Sequence, residues 1–215
     1  MTSVIWMFKY LRYIKKLDPA YKTYIDIILF CPSVWIMFFY RIAHYLYRIR
    51  FTMISLFIMN MVKFFTSVEI HPKAKIGKNL YIDHGTGTVI GETSIIGDNC
   101  LIYHNVTLGS VRNIKTKRHP TIGNNVSIGT GSIILGNITI GDNVKIGAGS
   151  IILNSFPANT ITISPRGSFA VKCAMTSVKV PLTLSSWILE ISRQTDTCRS
   201  APKYSANWVK AFTRR

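Results

Sequence analysis

A chain of 215 residues with 48% hydrophobic side chains has room for one large domain or two small ones, and that composition excludes global disorder. Its formal charge of +17 calls for an anionic partner: nucleic acid, anionic lipid or a phosphorylated cofactor. No nucleic-acid motif accompanies the charge, and Cys31, Cys100, Cys173 and Cys198 have neither CxxC nor zinc spacing, so the reading is no nucleic acid, no metal and reduced thiols.

Residues 1–69 read as an α-helical N-terminal domain that is unusually apolar. They carry nine Lys/Arg against three Asp/Glu, a balance of +6. The runs YIDIILFCPSVWIMFFY (24–40) and FTMISLFIMNMVKFF (51–65) each fall short of the ~18 uninterrupted apolar residues of a membrane span. The first also contains Asp26 and Pro32. Helices packed on one another and on the following domain are expected. The alternative is peripheral membrane contact, helped by Arg41, Arg48, Arg50 and Lys63. The first twelve residues lack the ordered parts of a secretory signal, so a cytoplasmic location is expected.

Residues 70–155 carry the repeat. Thirteen aliphatic side chains fall on a six-residue grid: Ile70, Ile76, Ile82, Ile90, Ile96, Ile102, Leu108, Ile122, Ile128, Ile134, Ile140, Ile146 and Ile152. Gly often follows, as at Gly77, Gly91, Gly97, Gly123 and Gly141. A period of six fits neither a helix nor a plain strand. It fits a coil of three short faces, about 18 residues round, stacked into a parallel β-helix with Gly at the tight corners.

The grid breaks twice. Ile82 and Ile90 are eight apart, and the extra residues fall beside Asp83 and His84. Leu108 and Ile122 are fourteen apart, around GSVRNIKTKRHPT with Arg118 and His119. An insertion in a solenoid leaves the coil as a loop, where function concentrates. Imidazole is the commonest general base near neutral pH. His84 and His119 are therefore the leading candidates, while His44 and His71 read as structural and His104 fits either role. Glu69, Asp83 and Asp18 are candidate acids to orient a base, and Arg118 suits a carboxylate. No Ser or Cys lies in a nucleophile motif, and there is no GxGxxG.

Residues 156–215 lose the period and read as an irregular basic C-terminal tail, with one helix near 184–192.

The strings EIHPKAKIGKNLYIDHGTGTVIGET, YHNVTLGS and KRHPTIGNNVSIGTGSIILGNITIGDNVKIGAGS closely resemble serine O-acetyltransferase, a hexapeptide-repeat acyltransferase. LDPAYKTY and FYRIAHYL resemble that family's N-terminal helices. The resemblance implies a left-handed parallel β-helix behind an α-helical domain, and acetyl transfer from acetyl-CoA to the hydroxyl of L-serine for cysteine synthesis. It implies that His84 is the general base and that Glu69 stands where the family's orienting acid stands. It matches Asp18 and Asp83 to the substrate amino group, and Arg118 and His119 to its carboxylate. Gly109, Thr130 and Lys145 match the acetyl-CoA groove, which lies between subunits of a homotrimer or a dimer of trimers. The chain departs from the family at Ser110, in the glycine-free segment 111–117, and at ITISPRG after the repeat. Two other readings stand beside it: an O-acetyltransferase acting on an envelope sugar or polysaccharide precursor, and a non-catalytic scaffold.

Overall fold

A computed structural model describes residues 3–163 and 171–174. Four helices come first: α1 (Ser3–Leu17), α2 (Tyr24–Phe30), α3 (Pro32–Arg48) and α4 (Thr52–Thr66). Thr23 opens α2 with a capping box. Its hydroxyl accepts from the Asp26 N–H at 3.1 Å, and the Asp26 carboxylate accepts from the Thr23 N–H at 2.8 Å. Pro32, at the first position of α3, has no N–H to continue α2, and the two helices meet at 68°. The long apolar run at 24–40 is thus two bent helices.

The repeat folds as the expected left-handed β-helix, a triangular prism of short parallel strands. Face A holds β1 (Glu69–Ile70), β4 (Val89–Ile90), β7 (Thr107–Gly109), β10 (Ile133–Leu135) and β13 (Ile151–Ile152). Face B holds β2 (Lys75–Ile76), β5 (Ile95–Ile96), β8 (Thr121–Ile122) and β11 (Thr139–Ile140). Face C holds β3 (Tyr81–Ile82), β6 (Leu101–Ile102), β9 (Ser127–Ile128), β12 (Lys145–Ile146), β14 (Thr160–Ile163) and β15 (Val171–Ala174). On a pleated strand successive side chains alternate, so the grid residue points in and its predecessor out. All thirteen grid residues are buried. They stack in columns, as in Ile70 on Ile90 on Leu108 on Ile134 on Ile152. Ile134→Ala, in mid-column, is expected to cost about 2–5 kcal/mol of unfolding free energy in a urea titration.

The corners differ from the expectation. Along the edge between faces B and C the left-handed positions are taken by Asn79, Asn99, Asn125, Asn143 and Asn159, with φ of 56–58°. Asn tolerates this conformation, and each side-chain amide donates to the next Asn, at 2.9, 3.4, 3.1 and 2.9 Å. The Gly residues after grid positions serve close approach instead. A Cβ on Gly97 would lie 2.6 Å from the Gly123 carbonyl oxygen of the adjacent coil.

The helices seal the first coil. Tyr10 donates its hydroxyl to the Leu80 carbonyl at 2.6 Å, and Tyr40 donates to the Ala74 carbonyl at 2.6 Å. Arg41 donates to the Ile76 carbonyl at 2.8 Å, and His44 Nδ1 lies 2.8 Å from the Pro72 carbonyl oxygen, which gives His44 its structural role. At the other end, β14 pairs with β12 beyond the expected limit of the repeat, and β15 runs antiparallel to β14. Both strands fall in the span expected to be irregular. The helix expected near 184–192 lies outside the described residues.

Candidate active site

The first grid break shapes the edge between faces C and A. In successive coils this edge has a left-handed residue at Gly87, Asn105, Gly131 and Gly149. The Gly87 N–H donates to the Ser67 carbonyl, that of Asn105 to Thr86, that of Gly131 to His104 and that of Gly149 to Thr130, all at 2.7–3.0 Å. The first coil also has left-handed backbone at His84 (φ 58°) and Gly85 (φ 69°). The coil accommodates its two additional residues as a bulge at this corner. A Cβ on Gly85 would sit 2.8 Å from Val68 Cγ2, so only Gly fits. A histidine held left-handed stores about 1–3 kcal/mol of strain, the kind that concentrates at functional sites. The bulge lifts the His84 side chain to 77% exposure. Its ring stands edge-on to that of His104, with centroids 6.0 Å apart, and its Nε2 is 3.7 Å from Asp83 Oδ1.

Two acids converge on the hydroxyl of Tyr81, and one of them, Asp83, lies beside this imidazole. Asp18, just after α1, accepts a hydrogen bond from the Tyr81 hydroxyl at 2.9 Å, and Asp83 Oδ1 lies 3.5 Å from the same hydroxyl. Burial, then the bond to Asp18, pushes the Tyr81 phenol well up, so it remains a neutral donor. Sequence reasoning missed Tyr81. Its one signal was an aromatic at an outward position, which the Asp18 segment covers.

The second break shapes the edge between faces A and B. Arg118 donates to Glu92 Oε2 at 2.6 Å and to the Ile114 carbonyl at 2.8 Å. Glu92 also pairs with Lys73 at 2.7 Å, and these cations hold its carboxyl below the usual range, the Lys73 bond first. The Thr93 hydroxyl accepts from the backbone N–H of both Arg118 (3.0 Å) and His119 (3.1 Å), and lies 2.8 Å from His119 Nδ1. Lys117 donates to the Thr93 carbonyl at 2.7 Å and to those of His119 and Pro120. VIGET thus braces KRHP, and Glu92, Thr93 and Lys117 are functional supports that spacing alone did not reveal. A cleft of about 390 Å³ beside them is lined by Arg112, Lys117 and Arg118 among others.

His119 packs against Gly91, and a Cβ there would overlap the imidazole ring. Gly91→Ala is therefore expected to displace His119 from Thr93 and to lower the urea midpoint, while circular dichroism stays near that of the wild type. Burial first, then Arg118, lowers the His119 pKa, and burial lowers that of His71. The folded state then binds fewer protons than the unfolded chain. Stability present at neutral pH is lost as pH falls below about 6.5, the ordinary imidazole value, and the loss is complete below the depressed folded values. Urea titrations from pH 8 to pH 5 should show the midpoint falling, and His119→Gln should flatten part of that slope.

His84 and Asp83 therefore stand at the C–A edge, with Asp18 joined to them through Tyr81, and Arg118 and His119 occupy the A–B edge. One chain does not bring the two sets together. Glu69 opens β1, but its carboxylate bonds Lys63 at 2.6 Å, not the imidazole. Thr130 lies on the His84 edge and donates to the His104 carbonyl at 3.1 Å. Gly109 ends β7 at the base of the A–B loop, and Lys145 is exposed on face C. Among the described residues no group of three or more His, Cys, Asp or Glu could hold a metal ion.

A triangular parallel coil with an imidazole raised on one edge is the build of a hexapeptide-repeat acyltransferase. Residues 119–154 match the family model described as bacterial transferase hexapeptide (six repeats). The serine acetyltransferase of Helicobacter pylori (strain ATCC 700392 / 26695) is 48% identical over 121 residues, covering 56% of this chain and 71% of that protein. That of Staphylococcus xylosus is 45% identical over 168 residues, covering 75% and 78%. The crystal structure of serine acetyltransferase from Brucella abortus strain S19 in complex with coenzyme A superposes with a TM-score of 0.75 at 34% identity, covering 80% of this chain and 68% of that one. The chain belongs to the serine acetyltransferase family.

Proposed function

We propose that the chain transfers the acetyl group of acetyl-CoA to the hydroxyl of L-serine, at a site completed by neighbouring copies. The carrying observation is His84, held left-handed and exposed, with Asp83 beside it and Asp18 tied in through Tyr81. An imidazole nitrogen of His84 takes the hydroxyl proton. The serine oxygen attacks the thioester carbonyl carbon, the C–S bond breaks, and the departing thiolate takes the proton back from the imidazolium. Asp18 and Asp83 face the substrate ammonium. Arg118 and His119 of an adjacent copy face its carboxylate, because in one chain they stand on a different edge. A homotrimer, or a dimer of trimers, supplies that adjacency.

Glu69 remains the proposed acid for orienting the imidazole. Its present ion pair with Lys63 is half exposed on both sides, and such pairs contribute at most about 1 kcal/mol, so the exchange of partner costs little. Thr130, Gly109 and Lys145 are the proposed acetyl-CoA contacts. Thr130 lies along the His84 edge and Gly109 at the loop edge of the neighbour, which suits a ligand lying in the groove between two prisms. The deciding experiment is thiol release from acetyl-CoA with L-serine set against sugar acceptors. Release with serine supports the reading, and release with sugars alone replaces it by the envelope-sugar reading.

A further inference from the structure

We propose that the outer face of α3 and α4, with the adjoining end of α2, docks on an anionic lipid surface. α4 buries Ser55, Met59 and Val62 against the rest of the chain. Its exposed surface is apolar too: Met53, Phe57, Phe64 and Phe65 are exposed, Phe57 at 64% and Phe65 at 79%. A helix apolar all round has a second apolar environment to meet. Between α3 and α4 runs a groove of about 440 Å³ whose walls include Trp35, Phe39, Phe57 and Phe65. Trp35 Nε1 donates to the Ile28 carbonyl at 2.8 Å, which carries the patch onto α2, where Leu29 and Phe30 are exposed. Contiguous apolar surface of this extent marks an interaction face.

Charge selects the occupant. Residues 1–69 carry +6 and the whole chain +17. A second copy would bring the same sign to the contact, whereas an anionic bilayer brings the opposite one. Arg48 and Arg50 are exposed at the turn into α4, and Lys15 and Lys16 at the end of α1. Exposed Trp35 and Tyr45 combine an apolar ring with a polar tip, the pattern of side chains at a membrane interface. No single described helix is long and apolar enough to cross a membrane, and α3, bent 68° from α2, keeps Val34, Ile36, Met37 and Tyr40 buried in the chain, so the proposed contact is by the outer face, in the interfacial plane.

The test is flotation of the full chain with vesicles of phosphatidylcholine alone and of phosphatidylcholine with phosphatidylglycerol, at low and high salt. Binding to the anionic vesicles roughly tenfold tighter than to the neutral ones, and weakened by salt, is expected. Phe57→Asp/Phe65→Asp, at two exposed side chains that wall the groove, should abolish binding while circular dichroism and acetyl transfer stay unchanged. Arg48→Glu/Arg50→Glu should remove the preference for anionic lipid without touching the apolar patch. Absence of wild-type binding to either vesicle overturns the proposal, as does full anionic binding by the Asp double variant. A fall in oligomer mass in that variant with vesicle binding intact would assign the face to a second copy and overturn it too.

Discussion

His84→Ala lowers L-serine-dependent thiol release by roughly 10²–10⁴-fold, the contribution of a positioned general base. The fall is expected mainly in kcat, because the acids and the Arg118 edge proposed to hold the substrate are left in place. His84 has no part in the buried column of the coil, and its side chain is 77% exposed, so the variant should fold. His84→Gly should lose the same activity yet unfold at slightly higher denaturant, since Gly adopts the left-handed backbone at φ 58° without strain. Steady-state kinetics beside urea titration reads both effects. Turnover unchanged in His84→Ala would remove the mechanism while leaving the fold untouched.

Mixing two inactive variants, His84→Ala and Arg118→Ala, restores activity when they are unfolded and reassembled together. Each alone lacks one side of every site. In the proposed assembly, a chain with His84 intact sets its C–A edge against the A–B edge of a chain with Arg118 intact. Random mixing gives about a quarter of the sites both groups, one half multiplied by one half. Recovery to roughly a quarter of the wild-type rate is therefore expected, measured by thiol release against total protein. No recovery, with assembly verified by sedimentation, would place both groups in a site within one chain. That outcome would contradict the separation of the two edges seen in the fold.

The two experiments probe different parts of the design. The first addresses a local feature, a corner enlarged by two residues. The second addresses an arrangement of edges. Local features were largely legible in the sequence. The inward aliphatic side chains follow from a six-residue pattern, because pleating decides in from out within two residues. The breaks beside His84 and Arg118 were visible as departures from that pattern, and both became the edges that carry polar groups.

What the sequence by itself determined is the coil: its three faces, its aliphatic interior and the two places where it must bulge. Only the tertiary structure decided which side chains meet across coils. The Asn ladder joins residues 20, 26, 18 and 16 apart, offsets altered wherever the coil departs from 18 residues, so no fixed spacing announces it. Thr93 reaches His119 across 26 residues for the same reason, and the pairing of Glu92 with Arg118 depends on how an eleven-residue connection between β7 and β8 folds back. Tyr81 became the link between Asp18 and Asp83 because the chain after α1 lies over face C, a contact 63 residues long in sequence. The partner of Glu69 is by contrast local: Lys63, six residues earlier near the end of α4, bonds its carboxylate at 2.6 Å. Periodicity is a property of neighbours in the chain, whereas a site is made of neighbours in space. The loops and helix ends that convert one into the other are set by packing that no short window contains.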